Sequence, residues 1–252
     1  MAEPGVPVGS DHFSACADAY ATYRPTYPRA LVEHLGTLAP RREVVWEAGC
    51  GSGQLTTLLA EVFARVIATD TSAEQLSHAP ALPNVEYRRA SAESSGLPAR
   101  VADLVVAAQA AHWFDLPAFY DEARRVGRVA AVIALVSYGV VRAGADVDPV
   151  IHEFHGRTLA PFWPPERRHV DTGYRTLDFP FEELPSPVLE MTQRWTLEEF
   201  IGYMRTWSAV RALLRAGAEA RLQAVEAQLH RIWSDGARRE IRWSLVVRAG
   251  RL

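Results

Sequence analysis

Between residues 43 and 138 short apolar runs alternate with amphipathic stretches, and this alternation limits the fold more than any other feature of the chain. EVVWEA, RVIATD, NVEYRR, ADLVVAA and VAAVIALVSY read as strands. LTTLLAEVF, SAEQLSHA and LPAFYDEARRVG, which fall between them, read as helices. Strands separated by helices predict parallel βαβ units, with right-handed crossovers and helices on both faces of the sheet. Nearly continuous apolar stretches such as Leu104 to Ala108 agree with strands buried on both sides. A chain of 252 residues is long enough for one such domain carrying a substantial insertion.

After Tyr138 the regularity breaks. Residues 142 to 185 hold one helix-like stretch, DVDPVIHEFHGRTLAPFW, and then the Pro-, Arg- and aromatic-rich passage PPERRHVDTGYRTLDFPFEELPSP. That apolar and aromatic content argues against a disordered linker and for a cap packed over the sheet edge. The pattern then returns, with VLEMTQRW as a strand, TLEEFIGYMRTW and AEARLQAVEAQLHRIW as helices, and IRWSLVVRAG as a closing strand.

The composition narrows the partners. A formal net charge of −3 and no basic stripe with interleaved aromatics argue against nucleic acid or an anionic membrane. The two cysteines, Cys16 and Cys50, make neither a disulfide framework nor a zinc site, and no metal is expected. The start lacks the basic end and apolar core of a secretory signal. The apolar segment from Val129 is shorter than the roughly 20 residues of a membrane span. A cytoplasmic location is therefore expected, and the sequence leaves monomer and homodimer open.

VVWEAGCGSGQLT, at residues 44 to 56, occupies the first strand-to-helix turn, where open parallel sheets bind ligands. Gly49, Gly51 and Gly53 let the chain turn tightly and bring its amides close to a ligand. Their spacing is neither G-x-G-x-x-G nor the lysine-bearing phosphate loop. Glu47 stands before them and would repel a pyrophosphate but suits a cation. Asp70 ends the next strand, at a distance suited to accepting hydrogen bonds from both ribose hydroxyls. A ribose and adenine without phosphate, joined to an ammonium and a sulfonium, describe S-adenosylmethionine.

EAGCGSG, ATDTS, ASAESSGLP and ADLVVAAQAAHWFD resemble, in order, the cofactor motifs of class I S-adenosylmethionine-dependent methyltransferases. FSACADAYATYRPTYP and AQAAHWFD look like the small-molecule type 11 members, near the trans-aconitate methyltransferase-like enzymes. The resemblance covers roughly residues 11 to 138 well and the closing elements more loosely. It implies a Rossmann-like α/β fold of seven strands, mostly parallel with the last antiparallel, a helical lead segment, and an inserted cap after the fifth strand. It divides a single domain over 1–252 into lid helices over 1–40, a cofactor-binding core over 41–138, an acceptor-binding cap over 142–185 and closing strands and helices over 186–252.

Carried onto this chain, Glu47, Gly49 and Gly51 would line the methionine moiety and ribose, with Gly53 opening the helix and Cys50 and Gln54 in the same loop. Asp70 would take the ribose diol, and Thr71 or Ser72 would flank the adenine. Ser91 and Ala92 stand where many relatives carry an Asp-Ala pair that reads the adenine amine, so Ser91 is a departure. Gln109, Ala110 and His112 would sit beside the sulfonium. Tyr20 and Arg24, in the lead helix, are candidates to cover the cofactor, unless that helix is only docked by its aromatic stripe.

His112 is also the first candidate for a catalytic base, the bland alternative being a histidine that satisfies a tight turn. Trp113, His155, Trp163, His169, Tyr174 and Trp207 are candidates to line an acceptor pocket. The expected function is methyl transfer to a small-molecule acceptor, on a carboxylate or hydroxyl, with S-adenosylhomocysteine as product. N-, S- or C-methylation is the alternative, and a non-catalytic S-adenosylmethionine-binding protein the alternative of another class. The [ND]PP[YF] motif used on planar nitrogens is absent after the fourth strand, which disfavours nucleobase amines.

Overall fold

The computed structural model describes residues 25–252 apart from position 235. Tyr20, Arg24 and the expected lead helix lie outside the described residues. The first half runs α1 (Arg29–Leu38), β1 (Val44–Ala48), α2 (Thr56–Leu59), β2 (Arg65–Asp70), α3 (Ala73–Ser77), β3 (Val85–Arg89), β4 (Ala102–Ala108), α4 (Leu116–Val126) and β5 (Gly127–Tyr138). Then come α5 (Asp148–Glu153), α6 (Arg167–Asp171), β6 (Glu183–Leu184), β7 (Leu189–Trp195), α7 (Leu197–Arg205), α8 (Ser208–Arg215), α9 (Glu219–Ile232) and β8 (Arg239–Arg251).

The strands form one sheet in the order β3-β2-β1-β4-β5-β8, with β6 and β7 both on β8. β1 to β5 pair in parallel. β8 is antiparallel to β5, to β6 and to β7, so it alone runs against the rest. β6 meets Ala249 and Gly250 while β7 meets Arg239 to Leu245, so the two share one edge of β8 and the sheet has the breadth of the expected seven strands.

Alternate strand residues feed two cores, as the two-residue period of a strand requires. Val45, Val66, Leu104, Val106, Val132 and Val136 face Leu31, Val32 and Leu35 of α1 and the carboxyl-terminal helices. Trp46, Ile67, Val105, Ile133 and Leu135 face Phe119, Tyr120, Ala123 and Val126 of α4. Asp115 caps α4 by accepting from the Ala118 amide at 3.3 Å. Thr196 and Glu199 close a reciprocal capping box at the start of α7.

Four elements differ from the sequence reading. The expected helix over 55–63 keeps its α-form only over Thr56–Leu59. Asn84 donates to the Ala60 and Phe63 carbonyls at 2.9 and 3.1 Å and closes that turn from outside. The expected helix over 146–163 breaks after Glu153 into a π-turn (Phe154–Thr158) and a 3-10 turn (Ala160–Phe162) containing Pro161. α8 and the two-residue β6 were not foreseen.

The expected cap region is divided. Its first part packs Val147, Val150, Ile151, Phe154 and Leu159 into the core that contains α1, whereas Val170 of α6, Tyr174, Leu177 and Phe179 are built into the core that contains Trp46. Among the described residues no helix is long and apolar enough to cross a membrane.

The amino ends of β1, β4 and β5 are tied by one carboxylate. Asp103, fully buried, accepts from the Glu43 and Val44 amides at 3.2 and 3.0 Å and from Arg128 at 3.0 Å. Asp103→Ala should cost about 1–3 kcal/mol for orphaned donors. Each kcal/mol should lower Tm by about 2–4 °C in a chain of this size. Differential scanning calorimetry checks this, and an unchanged Tm would show that water replaces the carboxylate.

Candidate functional site at the strand carboxyl ends

β1 and β4 are neighbours, yet the chain leaves them toward opposite edges of the sheet. The crevice above their carboxyl ends is the switch point at which such sheets bind ligands. Gly49, Gly51 and Gly53 all take positive φ there, at +70°, +57° and +82°. Their side-chain vacancies serve different ends. A Cβ on Gly49 would meet Ala110 Cβ at 2.6 Å, and one on Gly53 would meet the Tyr87 hydroxyl at 2.8 Å. A Cβ on Gly51 would meet nothing nearer than 3.7 Å, so this residue leaves backbone open to the crevice.

The loop is fastened to β2. The Gly49 and Cys50 amides donate to the Thr69 carbonyl at 2.8 and 3.0 Å. Asp70 accepts from the Gly51 amide on Oδ2 and from the Ser72 amide on Oδ1, both at 2.8 Å. A carboxylate offers about four acceptor positions, so two remain for a ligand.

Glu47 lies deeper and is 2% exposed. Thr56 donates to its Oε2 at 2.5 Å. Burial pushes the Glu47 carboxyl up to about 8, with the Asp70 charge adding and the Thr56 bond opposing. Burial, Glu47 and Asp70 likewise push the Cys50 thiol up.

A cavity of about 680 Å³ opens above this loop, in the size range of cofactor sites. Glu47, Gly49, Cys50, Gly51, Gln54, Asp70, Thr71, Ser91, Ala92, Gln109 and Ala110, all candidates from the sequence, line it. Gln109 holds a left-handed φ of +55°, fixed by its amide on the Val136 carbonyl and its side chain on the Tyr138 carbonyl, both at 2.8 Å. Non-glycine residues persist in that region only where surrounding bonds over-determine them. Gly53 packs behind the loop instead of at the cavity wall.

A second cavity of about 70 Å³ adjoins the first and shares Gln109, Trp113 and Tyr138 with it. His155, Trp163 and Trp207 form an aromatic wall, with His155 4.7 Å from Trp163 and 5.6 Å from Trp207 between ring centres. Arg167 lies 4.7 Å above the Trp163 ring and pairs with Asp171 at 2.9 Å. Arg167 and Arg211 line this cavity, and among the described residues no acidic one does. Burial and Arg167 push His155 down to about 4.

His112 lines the small cavity and not the large one, bonded through Nδ1 to the Tyr174 hydroxyl at 2.8 Å. Tyr174 is fully buried behind it, and His169 faces Thr176 at 2.8 Å, so neither of these expected acceptor residues lines either of the two cavities. Sequence reasoning missed Tyr138 and Phe114 as cavity walls, because each ends an apolar run that reads as core.

Residues 46–135 match the Methyltransferase domain family. A Dictyostelium discoideum protein named as a methyltransferase is 34% identical over 223 residues, covering 87% of this chain and 85% of that protein. A solved structure from Anaeromyxobacter dehalogenans, described as a type II methyltransferase, is 46% identical with a TM-score of 0.85, covering 91% of this chain and 98% of that one. A Saccharomyces cerevisiae protein named as an S-adenosylmethionine-dependent methyltransferase is 29% identical over 132 residues, covering 47% of this chain and 44% of the other.

The Glu47 carboxyl keeps its proton to about pH 8 when folded and loses it near its ordinary value of 4.5 when unfolded. Its burial therefore costs nothing at low pH and costs progressively more as pH rises through that window. Glu47→Gln, which cannot ionise, should gain Tm over the parent protein as pH is raised from about 5 to about 8. A Tm difference independent of pH would show that Glu47 titrates normally.

Proposed function

Because this chain belongs to the class I S-adenosylmethionine-dependent methyltransferases, we propose that it methylates an oxygen, carboxylate or hydroxyl, of a small acceptor seated in the arginine-lined cavity. The cofactor supplies a methyl group on cationic sulfur. The residues of the large cavity suit it on chemical grounds. Asp70 has acceptor positions left for a ribose diol, Gly51 presents bare backbone, and Glu47 offers a buried acid to an ammonium. Thr71, Ser91 and Ala92 line the same cavity and would meet the adenine, and Gln109 and Ala110, also on its wall, would meet the methionine end.

The observation that carries the acceptor reading is the contrast between the two cavities. The large one holds Asp70 and Glu47, whose ionisation a bound cation would favour; the small one holds two arginines and, among the described residues, no acid, which suits an anionic or electron-rich ligand. Trp163 and Trp207 supply the apolar walls that exclude water, and Trp113 stands at the threshold. In such a reaction alignment in a dry pocket supplies much of the rate.

Incubation with S-adenosylmethionine and matched small carboxylates, hydroxyl compounds, amines and thiols, read by product mass spectrometry, tests the reading. Methyl esters or ethers are expected, and methylation confined to nitrogen, sulfur or carbon would overturn it. Asp70→Ala should weaken S-adenosylmethionine binding by calorimetry about tenfold or more, the loss expected for hydrogen bonds to a charged group.

A further inference from the structure

His112 has its proton position set by the fold. Tyr174 follows Gly173, and both residues take left-handed φ, +59° and +61°. For a tyrosine that conformation costs on the order of 1–3 kcal/mol and must be held by its surroundings. It is held: the Tyr174 amide donates to the His169 carbonyl at 2.7 Å, and Arg248 donates to the Tyr174 carbonyl at 2.8 Å. The result is a fully buried ring whose hydroxyl stands 2.8 Å from His112 Nδ1.

Direction follows from what else reaches that hydroxyl. Among the described residues the Tyr174 hydroxyl has no hydrogen-bond partner besides His112 Nδ1, so a donating Nδ1 would leave the buried phenol hydrogen unpaired. The phenol hydrogen therefore lies between the two atoms, and Nδ1 accepts it. Burial pushes the phenol up, so that hydrogen stays in place. Burial pushes the His112 imidazole down to about 3, with Arg167 and His169, both on α6, adding to the shift. A neutral imidazole that accepts on Nδ1 carries its own hydrogen on Nε2. Among the described residues no hydrogen bond reaches Nε2, and the ring lines the small cavity.

We propose that His112 is a fixed Nε2–H donor to the acceptor and not a base, and that the acceptor is therefore a carboxylic acid bound as its carboxylate. This rests on the oxygen-methylation reading and narrows it to one of its two branches. A hydroxyl acceptor has to lose a proton, and an Nε2–H nitrogen has no lone pair to take it. His155, the other imidazole on the wall, is held too acidic to serve a hydroxyl. A carboxylate is ionised already and needs only to be gripped, by His112 on one side and the arginines on the other. Its oxygen lone pair forms the bond to the methyl carbon while the carbon–sulfur pair passes to sulfur, and no proton moves.

The test uses the full chain labelled with ¹⁵N-histidine, without cofactor, by long-range ¹H–¹⁵N NMR, with the His112→Asn variant identifying the signals. The expected spectrum has an unprotonated Nδ1 and a protonated Nε2, unchanged from about pH 5 to about pH 8. Tyr174→Phe should release the lock, giving mixed tautomers or a titration inside that range. A protonated Nδ1 in the parent protein, or a normal titration, overturns the proposal.

A second arm adds acetate, propionate and benzoate, each with its matching alcohol, to the S-adenosylhomocysteine-loaded protein. Carboxylates should shift the His112 Nε2–H signal and the alcohols should not. His112→Ala should raise KM for an accepted carboxylate about tenfold or more, without introducing a pH-dependent kcat. Transfer to alcohols alone would refute the carboxylate while leaving oxygen methylation standing. Transfer to nitrogen or sulfur alone would remove the oxygen reading itself, whatever the tautomer proves to be.

Discussion

The whole site hangs on the Asp70 carboxylate, which binds the Gly51 amide with one oxygen and the Ser72 amide with the other. That pair of bonds fixes a loop of left-handed glycines against the end of the neighbouring strand. Without it Gly51 would have no reason to keep a φ of +57° facing an open crevice. The Thr69 carbonyl, one residue earlier, takes the Gly49 and Cys50 amides and completes the clasp. Sheet register sets all of it, because Ala48 lies opposite Thr69 in the β1–β2 ladder.

The charge layout follows from the same topology. Acids collect above β1 and β2, where Glu47 and Asp70 end their strands, and arginines collect beyond β5, on α6 and α8. Gln109, Trp113 and Tyr138 stand at the boundary between the two. A cation is favoured on one side and an anion on the other, with aromatic walls keeping water from screening either. Bringing a cationic donor and an anionic acceptor together in a dry gap is the physical requirement of methyl transfer to a carboxylate.

Much of this was legible in the sequence. Five parallel strands announced themselves as apolar runs, and observed bounds such as Arg65–Asp70 and Ala102–Ala108 coincide with those runs. The resemblance carried by EAGCGSG, ATDTS, ASAESSGLP and ADLVVAAQAAHWFD in order implied the class I methyltransferase family and an α/β fold with a reversed last strand, which the sheet shows. What escaped was decided at long range. Asn84 truncates α2 from 21 residues beyond Phe63, and no local pattern predicts that. The His112–Tyr174 bond joins residues 62 apart, so the sequence named both but could not pair them. Gly53 looked like a ligand contact, whereas its lack of a side chain makes room for the Tyr87 hydroxyl.

The central claim is that the acid-lined cavity holds the methyl donor with its sulfur turned toward the arginine-lined one. A crystal structure with S-adenosylhomocysteine tests it most directly. The account predicts both ribose hydroxyls on Asp70, the Gly51–Asp70 bond intact, and the thioether sulfur facing the threshold of Gln109, Trp113 and Tyr138. A ribose away from Asp70, or a sulfur turned from that threshold, would contradict it.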